Sequence, residues 1–86
     1  MDTKPIKLSA AMKNVIDKLR DGYYLKFQET NGKVFLDKGM DVIPVHYNTL
    51  YFMRRKNLVD FHIYEQAPTG RKQLFSLTDL GKTIAI

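Results

Sequence analysis

The sequence predicts a single α+β domain, and three features carry that expectation. Apolar residues recur at helical spacing in two stretches, near residues 10–20 and 45–57. Runs that alternate side chains in the two-residue period of strands occupy residues 23–28, 61–65 and 74–78, and residues 33–37 return as a second short strand after the first. Turn-forming residues separate neighbouring runs, so every connection is short and local. The expected order is α-β-β-α-β-β-α.

The first helix is expected over residues 10–20. Ser9 sits at its N-cap, where a hydroxyl can accept from a free amide one turn on. Leu8, Met12, Val15, Ile16 and Leu19 form the apolar side, with Lys13, Asn14, Asp17, Lys18 and Arg20 opposite. Gly22 supplies the left-handed residue that ends many helices.

A hairpin over residues 23–37 follows. Tyr23, Leu25 and Phe27 share one strand face and Tyr24, Lys26 and Gln28 the other. Asn31-Gly32 is the pair that most readily takes positive φ at both centres of a tight turn. Residues 38–44 carry breakers at both ends and read as a loop or a third extended piece.

The second helix begins just after Pro44 and ends near Asn57, a residue that tolerates the left-handed closing position. At about 100° per residue, His46, Leu50, Met53 and Asn57 fall on one side. Asn48, Tyr51, Phe52 and Arg55 fall on the other. Arg54, Arg55 and Lys56 crowd the last turn, where cations complement the helix dipole.

In the strand that follows, Phe61 and Ile63 are expected on one face and His62 and Tyr64 on the other. Residues 67–72 are turn chemistry with Arg71 and Lys72 at the tip. After the returning strand, Thr78 can cap a short helix whose first turn carries Asp79.

Composition narrows the function classes. Eighty-six residues, 44% hydrophobic and 12% aromatic, suffice for one modest core and argue against disorder. The absence of cysteine excludes a disulfide framework, a Cys-based zinc site and a thiol nucleophile. Residues 1–7 read as a flexible N-terminal arm, without the apolar core of a signal peptide. The longest apolar runs are only a few residues, too short for a membrane span, so a cytoplasmic protein is expected. Net charge is +5, from 14 Lys and Arg against 9 Asp and Glu, which suits a polyanionic partner.

No enzymatic constellation is visible. Ser9 and Ser76 lack a nucleophile-elbow context, and His46 and His62 have no evident acid partner. The glycines are scattered through turns and build no phosphate loop. Asp17 and Asp21 balance nearby cations, and no Cys or acid–His spacing supports a metal site. The expectation is a non-enzyme without cofactor or metal.

The outer side of the second helix is the chief candidate interface, because aromatics beside Asn and Arg are unusual on a solvated face. In a DNA major groove, Asn48 can read adenine, Arg55 guanine or phosphate, and Tyr47 or Tyr51 phosphates or thymine methyls, with Arg54 alongside.

Residues 45–84 resemble a winged-helix DNA-binding domain of the kind found in small bacterial and phage regulators. The resemblance rests on V-H-Y-N-T-L-Y-F-M-R-R-K-N-L-V, a following hairpin with Arg71 and Lys72, and the closing L-T-D-L-G-K. Such domains pair a recognition helix ending in G-L-[VI] with a two-stranded wing and an L-T-x-x-G segment; here Asn57 stands for the glycine. The chain departs from the pattern in having a β-hairpin where a standard winged helix has its second helix.

The resemblance implies sequence-dependent double-stranded DNA binding by a small transcriptional regulator or mobile-element accessory protein. Tyr47, Asn48, Tyr51, Arg54 and Arg55 would lie on the recognition helix, and Arg71 and Lys72 on the wing. An alternative is a protein-interaction module, or a homodimer, using Phe52 with Tyr23 and Tyr24 as an exposed aromatic patch.

Overall fold

A computed structural model describes residues 7–85. The elements are α1 (Ala10–Arg20), β1 (Tyr24–Gln28), β2 (Lys33–Lys38), β3 (Asp41–Val45), α2 (Tyr47–Arg55), β4 (Val59–Ala67), β5 (Gly70–Leu77) and α3 (Asp79–Thr83). The strands form one antiparallel sheet in the order β3-β2-β1-β5-β4. The expected α+β class is therefore observed, with one strand more than the expected order contained. The arm expected over residues 1–7 lies, but for Lys7, outside the described residues.

α1 starts where Ser9 accepts a hydrogen bond from the Met12 amide at 3.2 Å. It ends in a Schellman motif. Gly22, at φ 101°, donates to the Leu19 carbonyl, and the Tyr23 amide reaches the Lys18 carbonyl. α2 ends the same way around Asn57, whose φ is 59°. The Asn57 amide bonds the Arg54 carbonyl and the Leu58 amide bonds that of Met53, while the fully buried Leu58 and Met53 supply the accompanying apolar contact.

Cross-strand partners share a sheet face, so register sorts the side chains. Leu25 pairs with Leu36 and Phe75, Leu36 with Ile43, Val34 with Val45, and Val59 with Leu77. All of these lie on one face and pack with Met12, Val15, Ile16, Leu50, Met53 and Leu58 from the helices and the turn after α2. The helices therefore cover one side of the sheet. On the other side, Pro44, Phe35, Lys26, Leu74 and Ile63 form one row across the five strands.

Lys26, only 7% exposed, sits at the centre of that row. Its ammonium lies 2.9 Å from Asp37 Oδ2 and 3.3 Å from Glu65 Oε1. Burial pulls its pKa down, but the hydrogen bonds to the two carboxylates outweigh that and leave it raised.

α3 is pinned to the end of α2. Thr78 caps α3 by accepting from the Gly81 amide, and its hydroxyl donates to the Asn57 carbonyl. The Thr78 amide bonds the Leu58 carbonyl at 3.0 Å, and Gly81 lies directly against that same carbonyl. Arg20 completes the junction by donating to the carbonyls of Gly81 and Ile84.

Of the two readings of residues 38–44, the extended piece is observed: residues 41–45 form a strand that pairs with β2 over five residues, Pro44 being tolerated because β3 is an edge. Three other local expectations need correction. The β1–β2 connection is a four-residue loop in which Gly32 alone has positive φ, not a tight turn with Asn31 also left-handed. His46 does not lie on the inner side of α2. It is the exposed N-cap, its Nδ1 accepting from the Asn48 amide at 3.2 Å. In β4 the register slips between Phe61 and Ile63, a bulge at His62 that reverses the side-chain parity. Phe61 and Tyr64 consequently share a face, with ring centroids 4.7 Å apart, and Ile63 lies opposite.

Candidate functional site: the outward face of the second helix

Leu50 and Met53 anchor α2 in the core, so the residues between them are turned outward. Tyr47, Asn48, Tyr51, Phe52, Arg54 and Arg55 are all exposed. The Tyr51 and Phe52 rings meet edge-on at 5.4 Å. Arg55 lies over the Tyr51 ring at 5.7 Å and donates to its hydroxyl at 3.3 Å, an i to i+4 contact along the helix. Arg54 extends toward the sheet, its guanidinium 5.1 Å from the Phe75 ring centroid. Among the described residues neither arginine forms an ion pair.

Between α2 and the helix-covered face of the sheet lies a cleft of about 190 Å³. Phe27 and Phe75 form its floor with Gln73, and Tyr47, Tyr51 and Arg54 its rim from α2. Tyr47 leans on Phe27 at 6.0 Å between centroids. The other flank of α2 carries a hollow bordered by Arg54, Arg55 and the Asp60 carboxylate.

Arg71 and Lys72, expected to act together at a turn tip, are not brought together. Only Pro68 and Thr69 form the turn, and both cations lie within β5. Neighbours in a strand point to opposite faces. Arg71 faces the side of Tyr64, stacking on it at 4.1 Å, and its Nε lies 3.0 Å from Glu29 Oε1. Lys72 faces the other side, 5.8 Å from the Phe35 ring. Hydrogen bonds from Gln73 and then Arg71 hold the Glu29 carboxyl below its ordinary pKa. The hairpin does not stand free: β5 pairs with β1, and Thr30 donates to the Thr69 carbonyl at 3.3 Å.

The aromatic patch built from Phe52, Tyr23 and Tyr24 is also not assembled. Tyr23 is a core residue, 9% exposed, whose hydroxyl donates to Asp41. That hydrogen bond, with burial and the neighbouring negative charge, raises its pKa. Tyr24 is exposed, but on the sheet face away from the helices. Phe52 remains exposed beside Tyr51.

Gln73, Phe27 and Phe75 join the site only through the pairing of β1 with β5, more than forty residues apart in sequence for Phe27 and Gln73. Among the described residues no three His, Asp or Glu side chains converge as metal ligands, and no helix is long and apolar enough to cross a membrane. Comparison of the chain with protein-family models, curated proteins and solved structures finds no match.

Proposed function

We propose that the protein binds double-stranded DNA through the outward face of α2, as a winged-helix-like regulator or mobile-element accessory protein. The observation that carries this reading is the state of Arg54 and Arg55. Both are exposed beside Tyr51, Arg55 on the strip with Asn48 and Arg54 toward the cleft, and among the described residues neither is paired with a carboxylate. Asn48 and Arg55 then face base edges, where amide and guanidinium groups discriminate adenine and guanine. Arg54 and Lys56 take phosphates. Arg71, already paired with Glu29, contributes little, and Lys72 faces away.

Titration of a labelled duplex at rising salt tests this. Neutralising about two phosphates gives a log–log salt slope of about −2. Arg54→Ala flattens that slope by about one, Arg55→Ala weakens binding and relaxes sequence preference, and Arg71→Ala changes both far less. Absence of duplex binding below about 100 µM protein at low salt refutes the reading.

A second reading is supported by the Tyr51–Phe52 pair, two exposed aromatics in mutual contact. On that reading the same strip is a protein or homodimer interface. Light scattering that shows a dimer in the native chain and a monomer in Phe52→Ser favours it.

A further inference from the structure

The cleft beside α2 is not used by a helix lying in a groove, yet it is continuous with the proposed DNA-binding strip through Tyr51 and Arg54. We propose that it holds the base of one unpaired nucleotide, so that the protein prefers DNA with an unstacked position over a continuous duplex. The inference rests on the proposed DNA-binding role of α2.

Size comes first. Pockets that take a whole small molecule run to about 300–1,000 Å³, whereas this cleft of about 190 Å³ suits one ring system. Its chemistry comes second. Phe27 from the sheet and Tyr47 and Tyr51 from α2 supply ring surface, with the buried Phe75 beneath them, the material on which unstacked bases are held. Such stacking tolerates any base, since every base has a π-face.

Charge comes third. Arg54 is the one charged residue lining the cleft, and it has no carboxylate partner among the described residues. The neighbouring carboxylate that could have neutralised the floor, Glu29, is occupied by Arg71 and Gln73. An aromatic cleft with an unneutralised guanidinium at its rim complements a planar base joined to a phosphate. Gln73 keeps its side-chain oxygen for a base edge, because only its Nε2 is engaged by Glu29.

An unpaired nucleotide can come from a single strand or from a position extruded out of a duplex, and three probes separate these sources. They are a perfect duplex, the same duplex with one central unpaired 2-aminopurine, and a single strand carrying 2-aminopurine. The full chain is titrated against each, with anisotropy reporting binding and 2-aminopurine fluorescence reporting base stacking.

The expected result is about tenfold tighter binding to the bulged duplex than to the perfect one, with quenched fluorescence. Phe27→Leu, which removes a ring of the cleft floor while keeping apolar volume at a half-buried position outside α2, removes that preference and the quenching but leaves perfect-duplex affinity within about twofold. Equal quenching on the single strand would assign the site to single-stranded ends as well. Equal affinity for perfect and bulged duplexes without quenching overturns the inference and leaves the DNA-binding reading standing. No binding to any probe overturns both.

Discussion

Gly81→Ala tests the junction that orients α2. In an ordinary helix interior this change stabilises by roughly 1 kcal/mol, since alanine is the better helix former. At Gly81, however, a Cβ would overlap the Leu58 carbonyl oxygen and come within 3.0 Å of Leu77 Cδ2. The carbonyl cannot swing aside cheaply, because it accepts the Thr78 amide and follows the left-handed Asn57. Overpacking of this kind costs about 1–3 kcal/mol, and displacing a hydrogen-bonded carbonyl adds about 1 kcal/mol. Set against the gain in propensity, the net loss is about 2 kcal/mol. For a domain of this size that lowers the melting temperature by about 8–16 °C. Thermal and urea unfolding followed by circular dichroism measure it, with Lys82→Ala, exposed on the same short helix, as the control. A Gly81→Ala protein that melts at or above the parent temperature would refute the close docking of α3 on Leu58.

Two further predictions concern charges held inside the sheet. Lys26→Met leaves Asp37, whose Oδ1 already lacks a partner, without its cation, and should cost about 2 kcal/mol, below the usual loss for a fully buried pair because Glu65 is partly exposed. The double variant Lys26→Met/Asp37→Leu should recover most of that in urea unfolding, and a double variant no more stable than the single one counts against the ion network. For Glu29, the lowered pKa means its contribution is present above the ordinary value near 4.5 and is lost as pH falls through the lower folded value. Glu29→Gln should therefore have a lower urea midpoint than the parent at pH 7, and the gap should narrow as pH falls below 4.5; a gap that stays constant as pH falls would remove the Arg71–Glu29–Gln73 arrangement as its cause.

Elements defined by near neighbours were legible in the sequence. The bounds of α1, its Ser9 cap and its closing Gly22 all depend on residues within one turn. So do Asn57 at the end of α2 and Thr78 at the start of α3. What was not legible depends on partners far along the chain. Local signals left residues 38–44 open between a loop and an extended piece, and the ladder that β2 offers decides for the strand in spite of Pro44. The bulge at His62 has no local marker, and it alone moves Tyr64 to the side of Phe61. For the site, outward exposure of Asn48, Tyr51, Phe52 and Arg55 was readable from helical spacing. The floor of the cleft was not, because Phe27 and Gln73 meet only through sheet register.

The placement of charge sharpens the functional reading. A net +5 reads in the sequence as a diffuse property, but several cations are engaged within the fold. Lys26 is held by Asp37 and Glu65, Lys38 by Asp21, Arg71 by Glu29, and Arg20 by the carbonyls of α3. A cation that already lies against a carboxylate gains little from a phosphate, since approach of the second anion must weaken the first interaction. Arg54 and Arg55 differ because their near neighbours are the rings of Phe75 and Tyr51. A ring face orients a guanidinium without neutralising it. Two exposed guanidiniums without an ion pair among the described residues thus sit at one end of one helix, beside an aromatic cleft, and it is this local arrangement rather than the overall charge that supports the proposed nucleic-acid partner.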